Sequence, residues 1–255
     1  VAREIEVPGV PLIEICVEGI DGLLAAQAAG ADRVELCASL VEGGITPSLG
    51  TVREALRRAT IPFHVIVRPR GGDFLYSEAE FASMLADVGA LRELGVAGAV
   101  VGCLTEDGDI DEPRMGALVE AAGPLAVTCH RAFDMTRDPQ AALEALVRCG
   151  VGRVLTSGQR DSAVEGIELL AALVRQAAGR IIILGCGALD PQSIGMVRAR
   201  TGLTELHFAS LKDVPSAMRF RNPNVGMGGN ALDREYRNTV TDGALVEATI
   251  AAARG

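Results

Sequence analysis

Gly30, Gly95, Gly150 and Gly202 each close an alanine- or leucine-rich stretch, and each stands just ahead of a short apolar segment, at 33–37, 98–103, 153–156 and 204–208. Glycine accepts the left-handed backbone that follows a helix, so these positions read as helix stops feeding strands. Pro11, Pro62 and Pro124 open three more segments at 12–17, 63–67 and 125–130, and Gly179 introduces the last at 181–185. Amphipathic stretches lie between them. Asp138-Pro139 and Asp190-Pro191 each join an N-cap to a proline in the first turn, and Ser77 with Glu80 forms a capping box. Eight strands alternating with helices through short joints predict parallel pairing with right-handed crossovers, closed as a (β/α)8 TIM barrel of the α/β class. An open doubly wound sheet is the alternative. No break in composition divides the chain, so residues 1–255 read as a single TIM-barrel domain.

The longer connections, 38–47, 68–76, 104–111, 131–137, 157–161 and 209–242, all follow strands. In a barrel of this kind those loops build the functional mouth, and chemistry is expected at the strand C-termini. The segment 209–242 carries Lys212, Arg219, Arg221 and a glycine-rich stretch. Loops of such length commonly act as lids or subunit contacts, so it is expected to cover the mouth or to meet a second subunit.

Strand side chains alternate between faces. If Ile13, Ile15, Val17, Val34 and Leu36 face the helices, then Glu14, Cys16, Arg33, Glu35 and Cys37 face inward, with His64, Ile66, Arg68, Thr128, His130, Glu205 and His207. His64 sits low on its strand and reads as a core residue; Arg33 and Glu205, near strand starts, read as members of a structural ion network. Glu14, Glu35, Arg68, His130, Asp134 and His207 lie nearer the mouth, where carboxylates and imidazoles can serve in acid/base work and arginine can hold an anion. Gly185-Cys186-Gly187 ahead of Asp190-Pro191 resembles an anion-binding turn, so Arg68, Gly185 and Gly187 are the candidate anion site. These residues would suit an enzyme acting on a small anionic, even phosphorylated, metabolite.

Bulk properties narrow the partners. A net charge of −9 gives no broad basic face for nucleic acid or an anionic membrane. The longest apolar run, 94–104, is too short to cross a bilayer, and the N-terminus shows no signal-peptide pattern. Small molecules, among them a small anionic ligand, or ions, and a cytoplasmic location, are the expectations that remain. A single lysine, Lys212, disfavours Schiff-base catalysis. Six cysteines in a chain of 255 residues, without a Cys-x-x-Cys pair, indicate reduced thiols and no structural zinc.

Cys16 and Cys37 occupy matching places in Ile13-Glu14-Ile15-Cys16 and Val34-Glu35-Leu36-Cys37. Neighbouring strands and a one-residue offset bring their Cα atoms to roughly 6 Å. That distance suits a soft metal ion, above all Cu(I), but equally a disulfide or two packed thiols. Cys103, Cys129 and Cys186 fall near strand ends, and Cys149 near a helix end.

The runs Glu35 to Ser48 (ELCASLVEGGITPS), Arg68 to Phe74 (RPRGGDF), His130 to Met135 (HRAFDM) and Val154 to Gln159 (VLTSGQ) resemble the CutC copper homeostasis family. The resemblance runs from about Pro11 through Asn222. It implies a (βα)8 barrel, a cytoplasmic protein that self-associates as a dimer or tetramer, and a role in copper tolerance or binding. The family's copper-site cysteines correspond to Cys16 and Cys37. Two departures stand out: Cys129 where phenylalanine is common in the family, and Cys186 between the glycines of the seventh-strand turn. Met218 and Met227, in the looser C-terminal part, offer thioethers that suit Cu(I) but also serve packing.

Overall fold

A computed structural model of the chain describes residues 9–227 and 235–255. The eight strands β1 (Leu12–Glu18), β2 (Arg33–Cys37), β3 (Phe63–Ile66), β4 (Gly98–Val101), β5 (Ala126–Cys129), β6 (Arg153–Thr156), β7 (Ile182–Gly185) and β8 (Glu205–Phe208) pair in sequence order and close, β8 returning to β1, as a parallel barrel. The helices α1 (Gly19–Ala28), α2 (Leu49–Arg58), α3 (Glu78–Leu94), α4 (Glu112–Ala122), α5 (Pro139–Arg148), α6 (Ile167–Ala177), α7 (Ile194–Thr201) and α8 (Gly243–Arg254) follow the strands in turn. The fold is a (β/α)8 barrel.

Local chemistry sets the helix ends. Ser77 and Glu80 make the reciprocal capping box of α3, which stops at Gly95 with φ of 73°. Asp138 caps α5 by accepting from the Gln140 and Ala141 amides, with Pro139 in the first turn. Asp190 behaves otherwise. Its Oδ1 accepts from the amides of Gln192 and Ser193, which closes a separate turn, and α7 begins only at Ile194.

Ile13, Ile15, Val17, Val34 and Leu36 are buried in the large apolar cluster between barrel and helices. Inside the barrel the apolar material is sparse: Cys16, Cys37, Ile66 and Val100 form one small cluster, and Leu155, Leu184 and Cys186 another. Below them charged groups fill the interior. Arg33, 0% exposed, donates through Nε to Glu14 and through a terminal nitrogen to Glu205 at 2.7 Å, and Arg153 donates to the same Glu205 at 2.9 Å. Each charge meets its opposite, which is what makes burial of such a chain tolerable.

Gly98 makes room for His64. A Cβ added there would lie 2.6 Å from His64 Cδ2 and 2.8 Å from the Ala126 carbonyl oxygen. Gly98→Ala is therefore expected to lower stability by about 1–3 kcal/mol. Gly89, inside α3 with nothing within 4 Å of such a Cβ, should gain about 0.5–1 kcal/mol on replacement by alanine. Urea unfolding of the two variants checks the pair, and shifts of the same sign would contradict it.

Residues 209–242 are not a plain loop. They contain β9 (Leu211–Pro215) and β10 (Arg237–Thr241), paired antiparallel, with Arg237 opposite Pro215. Residues 228–234, including part of the glycine-rich stretch, lie outside the described residues. No helix among the described residues is long and apolar enough to cross a membrane.

Candidate metal centre

The β1–β2 register sets Cys16 opposite Glu35 and Glu18 opposite Cys37, so both thiols and Glu35 share the inner face of the barrel. The Cys16 and Cys37 sulfurs are 3.6 Å apart, and both cysteines are free. One Glu35 oxygen and the two sulfurs all lie within 4.8 Å of one another, and all three residues are buried. The strand-2 loop passes above. Gly44, at φ of 85°, would carry a Cβ only 3.1 Å from the Cys37 sulfur, so the loop can cover the pair only with glycine there.

Charges around the pair differ sharply. The Cys37 thiol hydrogen-bonds to the Cys16 sulfur and, with His207, holds Cys16 down to about 5 against the effect of burial. Cys37 is driven well above the usual thiol range by the same bond to Cys16, by burial and by the Cys16 charge. Burial, then the Cys16 charge, also raises Glu35 well above the carboxylate range. Burial works against a charged His207, but its bonds to Cys16 and Glu14 outweigh that and lift it to about 10. His207 Nδ1 is 2.7 Å from Glu14 Oε1, and Nε2 is 3.8 Å from Glu35. Burial pushes the Glu14 carboxyl upward, yet Arg33, His207 and His64 overcome it and hold Glu14 ionised. At neutral pH the centre is a Cys16 thiolate beside a His207 imidazolium, with Cys37 protonated and the Glu35 carboxyl shifted toward its neutral form.

A cavity of about 110 Å³ opens beside this centre, lined by Cys16, Glu35, Arg68, Phe74, His130, Arg131 and His207 among others. Four of the six residues that the sequence sets near the mouth, Glu35, Arg68, His130 and His207, thus meet at one place. The remaining two do other things. Glu14 lies deeper, in the ion chain. Asp134 accepts from the Thr156 and Ser157 hydroxyls, the Ser157 and Gln159 amides and Arg131 Nε, and so ties the loops after β5 and β6 together.

Arg68 is also heavily committed. Its terminal nitrogens donate to the carbonyls of Glu42, Gly44 and Gly72, linking the loops after β2 and β3. Gly185 and Gly187 do not line the cavity: Gly185 is crowded by Leu203, and Gly187 packs on Ser157 while its carbonyl accepts from the Ala163 amide. Cys129 faces outward into the main core, and Cys186 lies inside the barrel against Leu155 and Leu184. Met218 and Met227 are exposed, at 60% and 68%. Arg131 and Phe74 are cavity residues that strand alternation does not reach. Their signal lay in the His130-Arg131 and Arg68 to Phe74 runs, but loop residues have no period from which to read a direction.

These features define a TIM-barrel protein with a sulfur pair and a polar cavity at the C-terminal mouth of its strands. The model of the CutC family matches residues 11–212, and the chain belongs to that family. It is 79% identical to a family protein CutC of Mesorhizobium japonicum over 96% of this chain and 95% of the relative. A family protein CutC of Parabacteroides distasonis is 52% identical over 94% of this chain and 99% of its own length. Among solved structures, a Streptococcus agalactiae protein described as a copper homeostasis protein CutC superposes with a TM-score of 0.74 at 33% identity, covering 78% of this chain and 98% of that one.

Proposed function

We propose that the protein takes part in copper homeostasis by binding one Cu(I) ion between Cys16 and Cys37. The observation that carries this reading is the 3.6 Å separation of two buried sulfurs at the barrel mouth. Two metal–thiolate bonds of about 2.3 Å span up to about 4.6 Å, so both sulfurs reach one ion without a change of backbone. Soft sulfur donors favour Cu(I); zinc would call for four ligands, and the described residues group one further donor, Glu35, with the two sulfurs. His207 supplies positive charge beside Cys16, and Glu14 orients His207. In this reading the protein works in the cytoplasm as a dimer or tetramer, with 209–242 at a subunit contact or over the mouth.

The test is an anaerobic titration of reduced protein with Cu(I) against a calibrated chelator, followed by X-ray absorption on the loaded protein. One ion per chain with a sulfur shell of two is expected. An oxygen and nitrogen shell, or loading that disappears on replacing Met218 and Met227 instead, would sink the proposal.

A further inference from the structure

The cavity beside the metal centre holds buried donors for which copper binding has no use. His130 is 4% exposed and Arg68 6%, and both line the cavity with Ile66, Phe74, Arg131 and Leu155. The Ala132 amide donates to His130 Nδ1 at 3.2 Å, which assigns the lone pair to Nδ1 and the ring proton to Nε2. Burial and the neighbouring Arg68 charge push His130 down to about 3, so the ring stays neutral. Its Nε2–H meets no hydrogen-bond partner, and neither does the Nε–H of Arg68. Arg131 commits Nε to Asp134 and one terminal nitrogen to Ser157 and the Arg160 carbonyl. Its other terminal nitrogen makes no hydrogen bond among the described residues.

Buried donors are nearly always satisfied in folded proteins, and two such groups at one cavity point to an acceptor that arrives from outside. The donors are a neutral N–H and a guanidinium N–H, with a second guanidinium close by, so the acceptor should be anionic oxygen. The other walls, Ile66, Phe74 and Leu155, are apolar and suit a short hydrocarbon body. A phosphate would turn oxygens toward those walls without donors for them. At about 30 Å³ per liquid water, a 110 Å³ cavity corresponds to roughly four waters.

We propose that this cavity binds a short-chain carboxylate of roughly two to four carbons, its oxygens accepting from His130 Nε2–H and Arg68 Nε–H while Arg131 balances its charge. Cys16 and Glu35 border the same space, so the bound molecule lies beside the sulfur pair. The site does not depend on the cysteines as metal ligands.

Acetate titrated into reduced, metal-free protein carrying nitrogen-15 histidine tests this directly, because the spectrum reads the His130 tautomer and its Nε2 shift. Saturable movement of the His130 Nε2 resonance is expected, with an Nε2–H form before and after binding. His130→Asn keeps an acceptor for the Ala132 amide but removes the Nε2–H, and should abolish acetate binding as read by calorimetry. Arg131→Gln, at a side chain 46% exposed, should fold normally and weaken acetate by about tenfold. Cys16→Ser/Cys37→Ser should retain acetate binding. Linear, unsaturated shifts, undiminished binding in His130→Asn, or inorganic phosphate binding as tightly as acetate would each overturn the assignment.

Discussion

Cu(I) affinity should fall by at least about a thousandfold, or about 4 kcal/mol, in the Cys16→Ser/Cys37→Ser protein, while His130→Ala should change it by less than about threefold. The first effect is large because hydroxyls are hard, protonated donors, and nothing else among the described residues offers a second sulfur within bonding reach of the same ion. The second is small because His130 lies in the cavity and is not among the residues grouped around the sulfurs. Affinity should also depend on pH in a defined sense. Cys16 is already a thiolate above about pH 5, whereas Cys37, held well above the thiol range, must lose its proton to bind. Between pH 6 and 8 each bound ion should therefore release about one proton, and apparent affinity should rise about tenfold per pH unit. Competition titrations at three pH values, with the two variants alongside, measure all of this. A flat pH profile, or tight binding that survives in the double serine variant, would remove the cysteine pair from the function.

The barrel is legible in the sequence because its signals are local. Glycine and proline punctuation marks where each strand starts, and a period of two decides which side chains face inward, so the spacing alone puts Cys16 and Cys37 on one surface. The same alternation brings His207 and Glu14 inside, where the β1–β8 register sets them opposite each other. Beyond the strands no such period exists. Arg68 reads as an anion-binding residue in the sequence, but no spacing rule tells that the return path of the loops brings three carbonyls to its terminal nitrogens and leaves only Nε without a partner. Asp134 looks like an acid/base group, and loop packing surrounds it with donors. Protonation states are equally out of reach of the sequence. Whether Cys16 or Cys37 holds the proton depends on a sulfur contact, a buried imidazolium and a buried Glu35 carboxyl, none of which a spacing rule contains.

Replacing Arg33 with methionine should cost about 3–5 kcal/mol of folding stability at pH 7.5, because it leaves the buried Glu14 and Glu205 carboxylates without the cation between them. That is a large share of the roughly 5–15 kcal/mol that holds a domain together. The pH dependence separates loss of charge from loss of packing. Glu14 is held below its ordinary value of 4.5 in the folded protein, so its contribution is present above that pH and lost as pH falls through the folded value. Without Arg33 the folded carboxyl shifts upward and takes up a proton readily, so acidification to pH 5 relieves the variant, while Glu14 of the parent stays ionised and keeps its contribution. The gap in urea-unfolding free energy should accordingly narrow between pH 7.5 and pH 5. A cost that is the same at both pH values would mean that Arg33 acts by packing alone. The consequence reaches the mouth, since Arg33 keeps Glu14 ionised, Glu14 orients His207, and His207 helps hold Cys16 as a thiolate. In a folded Arg33→Met protein, the pH at which Cys16 becomes reactive toward iodoacetamide should therefore move upward from about 5; an unmoved profile would show that the ion chain and the sulfur pair are independent.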